Sequence, residues 1–183
     1  MTKEFIKILY EKHSDFNMSD FLFFWSHKTE NADISSACLS QWYPCLFMMD
    51  GQVYTSAEQY MMAEKARLFH DEEARQRILK EFDPMIIQKL GRKVNHFNED
   101  IWAHHRYKIV VRGNIAKFSQ NYRLYTHLMD TADKFLVEAS PKDTVWGIGL
   151  DAHSPDACNP HKWPGLNLLG IALMEVRERL AME

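Results

Sequence analysis

Several absences narrow this chain before any motif is read. Cysteine is scarce: Cys38, Cys45 and Cys158 sit far apart, with no CxxC spacing. An odd count of three makes a poor disulfide framework, and zinc-ligand spacing is not met. A reducing compartment follows, and with it a cytoplasmic setting. No apolar run approaches the roughly 20 residues of a membrane span, so no membrane partner is expected. The opening Met1-Thr2-Lys3-Glu4-Phe5-Ile6 mixes charges with apolar residues and carries no signal-peptide core. Neither charge sign dominates: 22 Lys and Arg stand against 25 Asp and Glu. The net charge of −3 argues against bulk attraction to nucleic acid and leaves a local basic patch open. No GxGxxG, Walker loop or Gly-x-Ser-x-Gly elbow is present. His104 and His105 are adjacent and face about 100° apart on a helix. His153, Asp156, Cys158 and His161 make only a loose loop cluster. No metal and no cofactor is expected.

What is present is a globular chain of 183 residues, 46% hydrophobic and 26% charged. Such a chain buries roughly 70% of the surface its unfolded form exposes. The expected architecture is α+β: one mostly helical domain over 21–183 with a small β-sheet, preceded by a helical or irregular extension at 1–20. Phe21-Leu22-Phe23-Phe24-Trp25-Ser26 suits a buried strand. Residues 45–49 and 52–54 flank Asp50-Gly51, a preferred two-residue hairpin turn. Helices are expected over about 56–69, 71–81, 99–117, 121–130 and 166–180. Another starts at Asp83-Pro84 with Gly91 as its C-cap. Residues 135–138 and 145–149 read as short strands, and 151–165 as a loop.

The densest stretch runs from Asp50 to Lys65. Glu58 and Lys65 are seven apart, nearly two helical turns, so they share a face with Met61 and Met62 between them. Glu58 has a competing structural role, because Thr55-Ser56-Ala57-Glu58 fits a capping box. Ser56-Ala57-Glu58-Gln59 fits one too, with Gln59 closing it. Lys65 on its own suits a solvated helix lysine, and Trp102 a core anchor or a stacking platform for a flat base. Glu138 and Asp143 flank a turn before Trp146 and Gly147, where glycine permits close backbone approach to a ligand; the competing reading is a tight turn between strands. Asn167 either caps the last helix or stands where backbone N–H groups meet a phosphate or ribose.

In order, these segments resemble the NADAR family, the YbiA-like proteins. The resemblance rests on Ser56-Ala57-Glu58-Gln59-Tyr60, Ala63-Glu64-Lys65, Pro84-Met85, Leu90-Gly91-Arg92, Trp102 and Leu136-Val137-Glu138. It continues through Asp143-Thr144-Val145-Trp146-Gly147, Asn167-Leu168-Leu169-Gly170 and Ala172 to Arg177. It covers about residues 20–182; the first 20 residues and an insertion at 151–165 depart from the pattern. The resemblance implies an N-glycosidase that cuts a bond between ribose C1 and a nitrogen. One implied substrate is an early riboflavin-pathway intermediate, a small nucleotide-like molecule that would release ribose 5-phosphate. The alternatives are removal of ADP-ribose from modified guanine in nucleic acid, or ADP-ribose binding without hydrolysis. It implies Glu58, Lys65 and Asp143 as catalytic, and Trp102, Glu138, Trp146, Gly147 and Asn167 as substrate-binding.

Overall fold

The computed structural model describes residues 18–27 and 34–182. The expectation for residues 1–17 lies outside the described residues, while Met18–Asp20 forms a 3-10 turn. The described chain is α+β and mostly helical, and it divides into two compact units. The helical unit comprises Ser26–Asp130 with the segment from Glu175 on. The parallel-strand unit comprises the segment ending at Trp25 with Thr131–Met174.

In the helical unit, β2 (Phe47–Met49) and β3 (Gln52–Tyr54) form an antiparallel hairpin. Asp50 and Gly51 both have positive φ, at 50° and 78°, as a type I′ turn requires. The free edge of β2 is covered by the side-chain amide of Gln120, which accepts from Met48 N–H at 2.7 Å and donates to Met48 C=O at 2.8 Å. The helices are α1 (Ala57–Leu68), α2 (Glu72–Leu79), α3 (Pro84–Gly91), α4 (Glu99–Ser119) and α5 (Tyr122–Asp130). Ser56, Asp71, Asp83 and Asn98 each accept a first-turn N–H, so short polar side chains set four of these starts.

α1 is the centre of this unit. It packs against α2, α3, α4 and β3, and every residue from Ala57 to Ala66 is buried. Two glycines allow that enclosure. A Cβ on Gly113, in the middle of α4, would lie 2.4 Å from Tyr60 Cδ1. A Cβ on Gly91 would lie 2.0 Å from Met62 Sδ. Gly91 is therefore not the expected C-cap. It is the last helical residue of α3, kept small for contact with α1, and Arg92 takes the cap position.

In the parallel-strand unit, β1 (Phe21–Phe24) pairs with β4 (Phe135–Glu138), Phe21 opposite Phe135 and Phe24 opposite Glu138. Thus the expected small sheet is two separate two-stranded ladders. The core here is Phe21, Val137, Ala139, Ile148 and Ala157. The strand expected at 145–149 does not form. The carbonyls of Thr144, Val145, Trp146, Gly147 and Ile148 all accept from N–H groups of residues 165–169. Successive carbonyls in a strand point to opposite sides, so five in a row facing one neighbour preclude a pleat. The last helix, α6 (Leu168–Ala181), follows directly. Among the described residues, no helix is long and apolar enough to cross a membrane.

Candidate active site

The candidate residues fall into two sets, one in each unit. In the helical unit, Glu58 and Lys65 lie two turns apart on α1, with relative exposures of 3% and 8%. The capping question resolves around Gln59. Ser56 Oγ accepts from Gln59 N–H at 3.1 Å, and Gln59 Oε1 accepts from Thr55 N–H at 2.8 Å. The helix start is closed by Ser56 and Gln59, so the Glu58 carboxylate is not needed there. The Glu58 N–H donates to Gln41 C=O at 2.9 Å. Gln41 is itself held by Asn114, whose amide donates to its Oε1 at 3.2 Å, and the fully buried Lys117 donates to the adjacent Ser40 C=O at 2.9 Å.

Burying polar side chains costs free energy unless partners compensate. Gln59 meets that cost with Thr55 N–H and with Glu81 C=O at 2.8 Å. Glu64 meets it with a two-pronged contact to Arg67, at 2.9 and 2.6 Å. Lys65 is different. Its ammonium sits 4.1 Å from the centroid of the Phe97 ring and 5.5 Å from that of Trp102. Among the described residues, no hydrogen bond or ion pair reaches it. Burial pulls the Lys65 amine below the usual lysine range; Glu99 opposes that shift, Arg92 adds to it, and Glu58 opposes it.

Trp102 is 7% exposed, so most of its surface is packed rather than open as a platform for a base. Phe97, which sequence reasoning did not select, is 42% exposed and its ring lies under the Lys65 ammonium. It falls between α3 and α4, outside any periodic pattern, and only the adjacent helix cap at Asn98 marks its place in the sequence. Arg92, Lys93, Arg106, Lys108 and Arg112 are the cations near Trp102 in sequence that a basic patch would draw on. Arg106 is paired with Glu99 at 3.1 Å, and Arg112 with Asp50 at 2.8 Å.

In the parallel-strand unit, Asp143 Oδ1 accepts from Val145 N–H and Trp146 N–H, both at 2.8 Å. One carboxylate oxygen thus shapes the turn that presents Trp146, which is half-buried like Asp143 and Glu138. A Cβ on Gly147 would lie 2.9 Å from Glu138 C=O, so the close approach seen there is of the protein's own backbone. Asn167 has φ of 51°, in the left-handed region that asparagine tolerates. Its side chain neither caps α6 nor stands open. Oδ1 accepts from Glu138 N–H and Nδ2 donates to Leu136 C=O, both at 2.9 Å, which pins β4 to the start of α6. The N–H groups of residues 165–169 are also taken, by the carbonyls of 144–148, which leaves none of them for a phosphate. The 151–165 insertion is anchored in this unit: Trp163 packs edge-on to Phe21 and donates to Ala157 C=O at 2.8 Å. Asp156 of the loose His, Asp and Cys cluster is paired with Lys162 at 2.6 Å.

A family model described as the NADAR domain matches residues 23–181. The chain belongs to the NADAR family. Among its NADAR relatives, N-glycosidase R617 of Acanthamoeba polyphaga mimivirus is 47% identical over 144 residues, covering 76% of this chain and 85% of that protein. N-glycosidase YbiA of Escherichia coli (strain K12) is 33% identical over 135 residues, covering 74% of this chain and 76% of that one. Riboflavin biosynthesis protein VVA0006 of Vibrio vulnificus is 32% identical over 148 residues, 81% of this chain and 36% of that longer protein. The NMR structure of the E. coli protein YbiA matches with a TM-score of 0.71 and 28% identity, covering 89% of this chain and 86% of that one.

Proposed function

We propose that this protein hydrolyses the C1–N bond of a small N-ribosyl nucleotide, of the kind found early in riboflavin biosynthesis, releasing the free base and ribose 5-phosphate in a reducing, cytoplasmic setting. The reading draws on relatives named as N-glycosidases and on one named as a riboflavin biosynthesis protein. One observation carries it to particular residues: Glu58 and Lys65 share a buried face of α1, and the Lys65 amine has a depressed proton affinity.

The chemistry follows from that pair. As the C1–N bond breaks, positive charge builds on the ribose, and a nearby carboxylate stabilises it. Glu58 takes this role, and Asp143 is the second candidate. Lys65, in its neutral form, attacks C1, so that its nitrogen bonds to C1 as the base departs with the bonding pair and gains a proton. Ring opening gives a protonated imine. Water then adds to C1, and the amine leaves, returning Lys65 and completing hydrolysis. Burial favours the neutral amine that the attack requires. If Lys65 instead contacts a phosphate or ribose oxygen, its charge is what matters, and no imine forms.

The competing substrate class is ADP-ribosylated guanine in nucleic acid. The net charge of −3 and the pairing of Arg106 and Arg112 with carboxylates favour the small substrate. A panel holding both kinds, followed by mass spectrometry, separates them. Free base and ribose 5-phosphate from the small N-ribosyl nucleotide, with a shallow salt response, are expected. Release of ADP-ribose from modified guanine with a steep salt response would move the assignment to nucleic acid. Binding without products would reduce the protein to a nucleotide-binding module.

A further inference from the structure

We propose that Phe97 is a positioning residue for Lys65, holding its ammonium on the ring face between reaction cycles so that the amine, once neutral, meets the substrate in one orientation. This rests on the reading of Lys65 as the reacting amine. A lysine side chain has four rotatable bonds, and burial on α1 does not by itself choose among rotamers. The neighbouring polar groups do not choose either, since no hydrogen bond or ion pair among the described residues reaches the amine. The Phe97 ring does, because it is the nearer of two aromatic faces, at 4.1 Å against 5.5 Å for Trp102. A cation at this distance from a ring centroid is held by the negative face of the π system.

Phe97 is itself braced. Its ring meets Phe69, the C-cap residue of α1, edge-on at 5.3 Å. Its backbone is followed at once by Asn98, whose side chain accepts from Ile101 N–H at 3.0 Å and fixes the start of α4. Both ends of α1's Lys65 turn and the entry to α4 therefore meet at this ring. Yet Phe97 is 42% exposed, far more than a residue kept for core packing alone. The charges that act on Lys65 are Glu58 from α1, Glu99 from the first turn of α4 and Arg92 at the end of α3. Glu99 is itself engaged by Arg106 at 3.1 Å.

The consequence is a balance. The ring face favours the protonated amine, whereas burial favours the neutral one. Phe97→Leu keeps an apolar side chain but removes the π face; Phe97→Trp keeps the face. The test is NMR titration of the Lys65 side chain in isotopically labelled protein, with Lys65→Met identifying the signal. Phe97→Leu should lower the Lys65 midpoint by about half a pH unit, the scale of one cation–π contact. Phe97→Trp should restore it, and the rising limb of the pH–rate profile should move with the midpoint in both. An unchanged Lys65 midpoint in Phe97→Leu overturns the assignment, whatever the activity. A shifted midpoint in a protein that releases no base from any substrate supports Phe97 as the seat of Lys65 and removes the N-glycosidase reading instead.

Discussion

Replacing Glu58 by glutamine separates chemistry from folding at this position. The side chain keeps its shape and loses its charge. The start of α1 does not depend on that charge, since Ser56 and Gln59 close the cap between them. One structural loss is the favourable placement of an anion in the first turn, worth about 0.3–1 kcal/mol. Against a typical domain stability of roughly 5–15 kcal/mol, the variant stays folded at 25 °C. The loss in chemistry is larger. A positioned carboxylate acting on developing charge contributes on the order of 100-fold or more, about 2.7 kcal/mol in the barrier. Urea unfolding gives the first quantity, and a single-turnover time course with enzyme in excess gives the second. Equal first-order rates in wild type and Glu58→Gln, with both folded, would refute the role assigned to Glu58.

The other predictions concern Lys65 and Asn167. The folded-state proton affinity of Lys65 lies below the ordinary value of 10.5, so the unfolded chain binds more protons between the two and stability rises with pH across that window. Lys65→Met should therefore be more stable than wild type at neutral pH while losing turnover, and the advantage should shrink as pH approaches 10.5; denaturation curves at several pH values check this. Asn167→Ala strands the Glu138 N–H and the Leu136 C=O and places alanine at a φ of 51°. The expected loss is about 2–4 kcal/mol in urea unfolding, from two unsatisfied groups.

Much of this molecule was legible in its sequence. The helix boundaries fall within two residues of those read from periodicity and capping residues, and Asp50-Gly51 makes the expected hairpin turn. The Glu58 and Lys65 alignment follows from helical geometry alone. Three features were not readable. Gly91 looks like a helix stop because local rules see a glycine at a helix end; only the packing of α3 on α1 shows that its size is what matters. Residues 145–149 carry the Val, Trp and Ile of a short strand, but Asp143 bends the chain before them and the 165–169 segment captures the carbonyls of 144–148. Phe97 lies in a connection with no period, and its meeting with Lys65 depends on how α1 and α4 pack.

The proposed reaction turns on the substrate's C1 meeting the Lys65 amine. Borohydride added during turnover reduces a protonated imine to a stable secondary amine, and peptide mass spectrometry then locates it. A reduced ribose 5-phosphate adduct on Lys65 is expected in wild type, and none in Lys65→Arg. Undiminished turnover in wild type with no adduct on Lys65, together with weakened substrate binding in Lys65→Ala, would contradict the covalent route and leave Lys65 as a contact to phosphate or ribose.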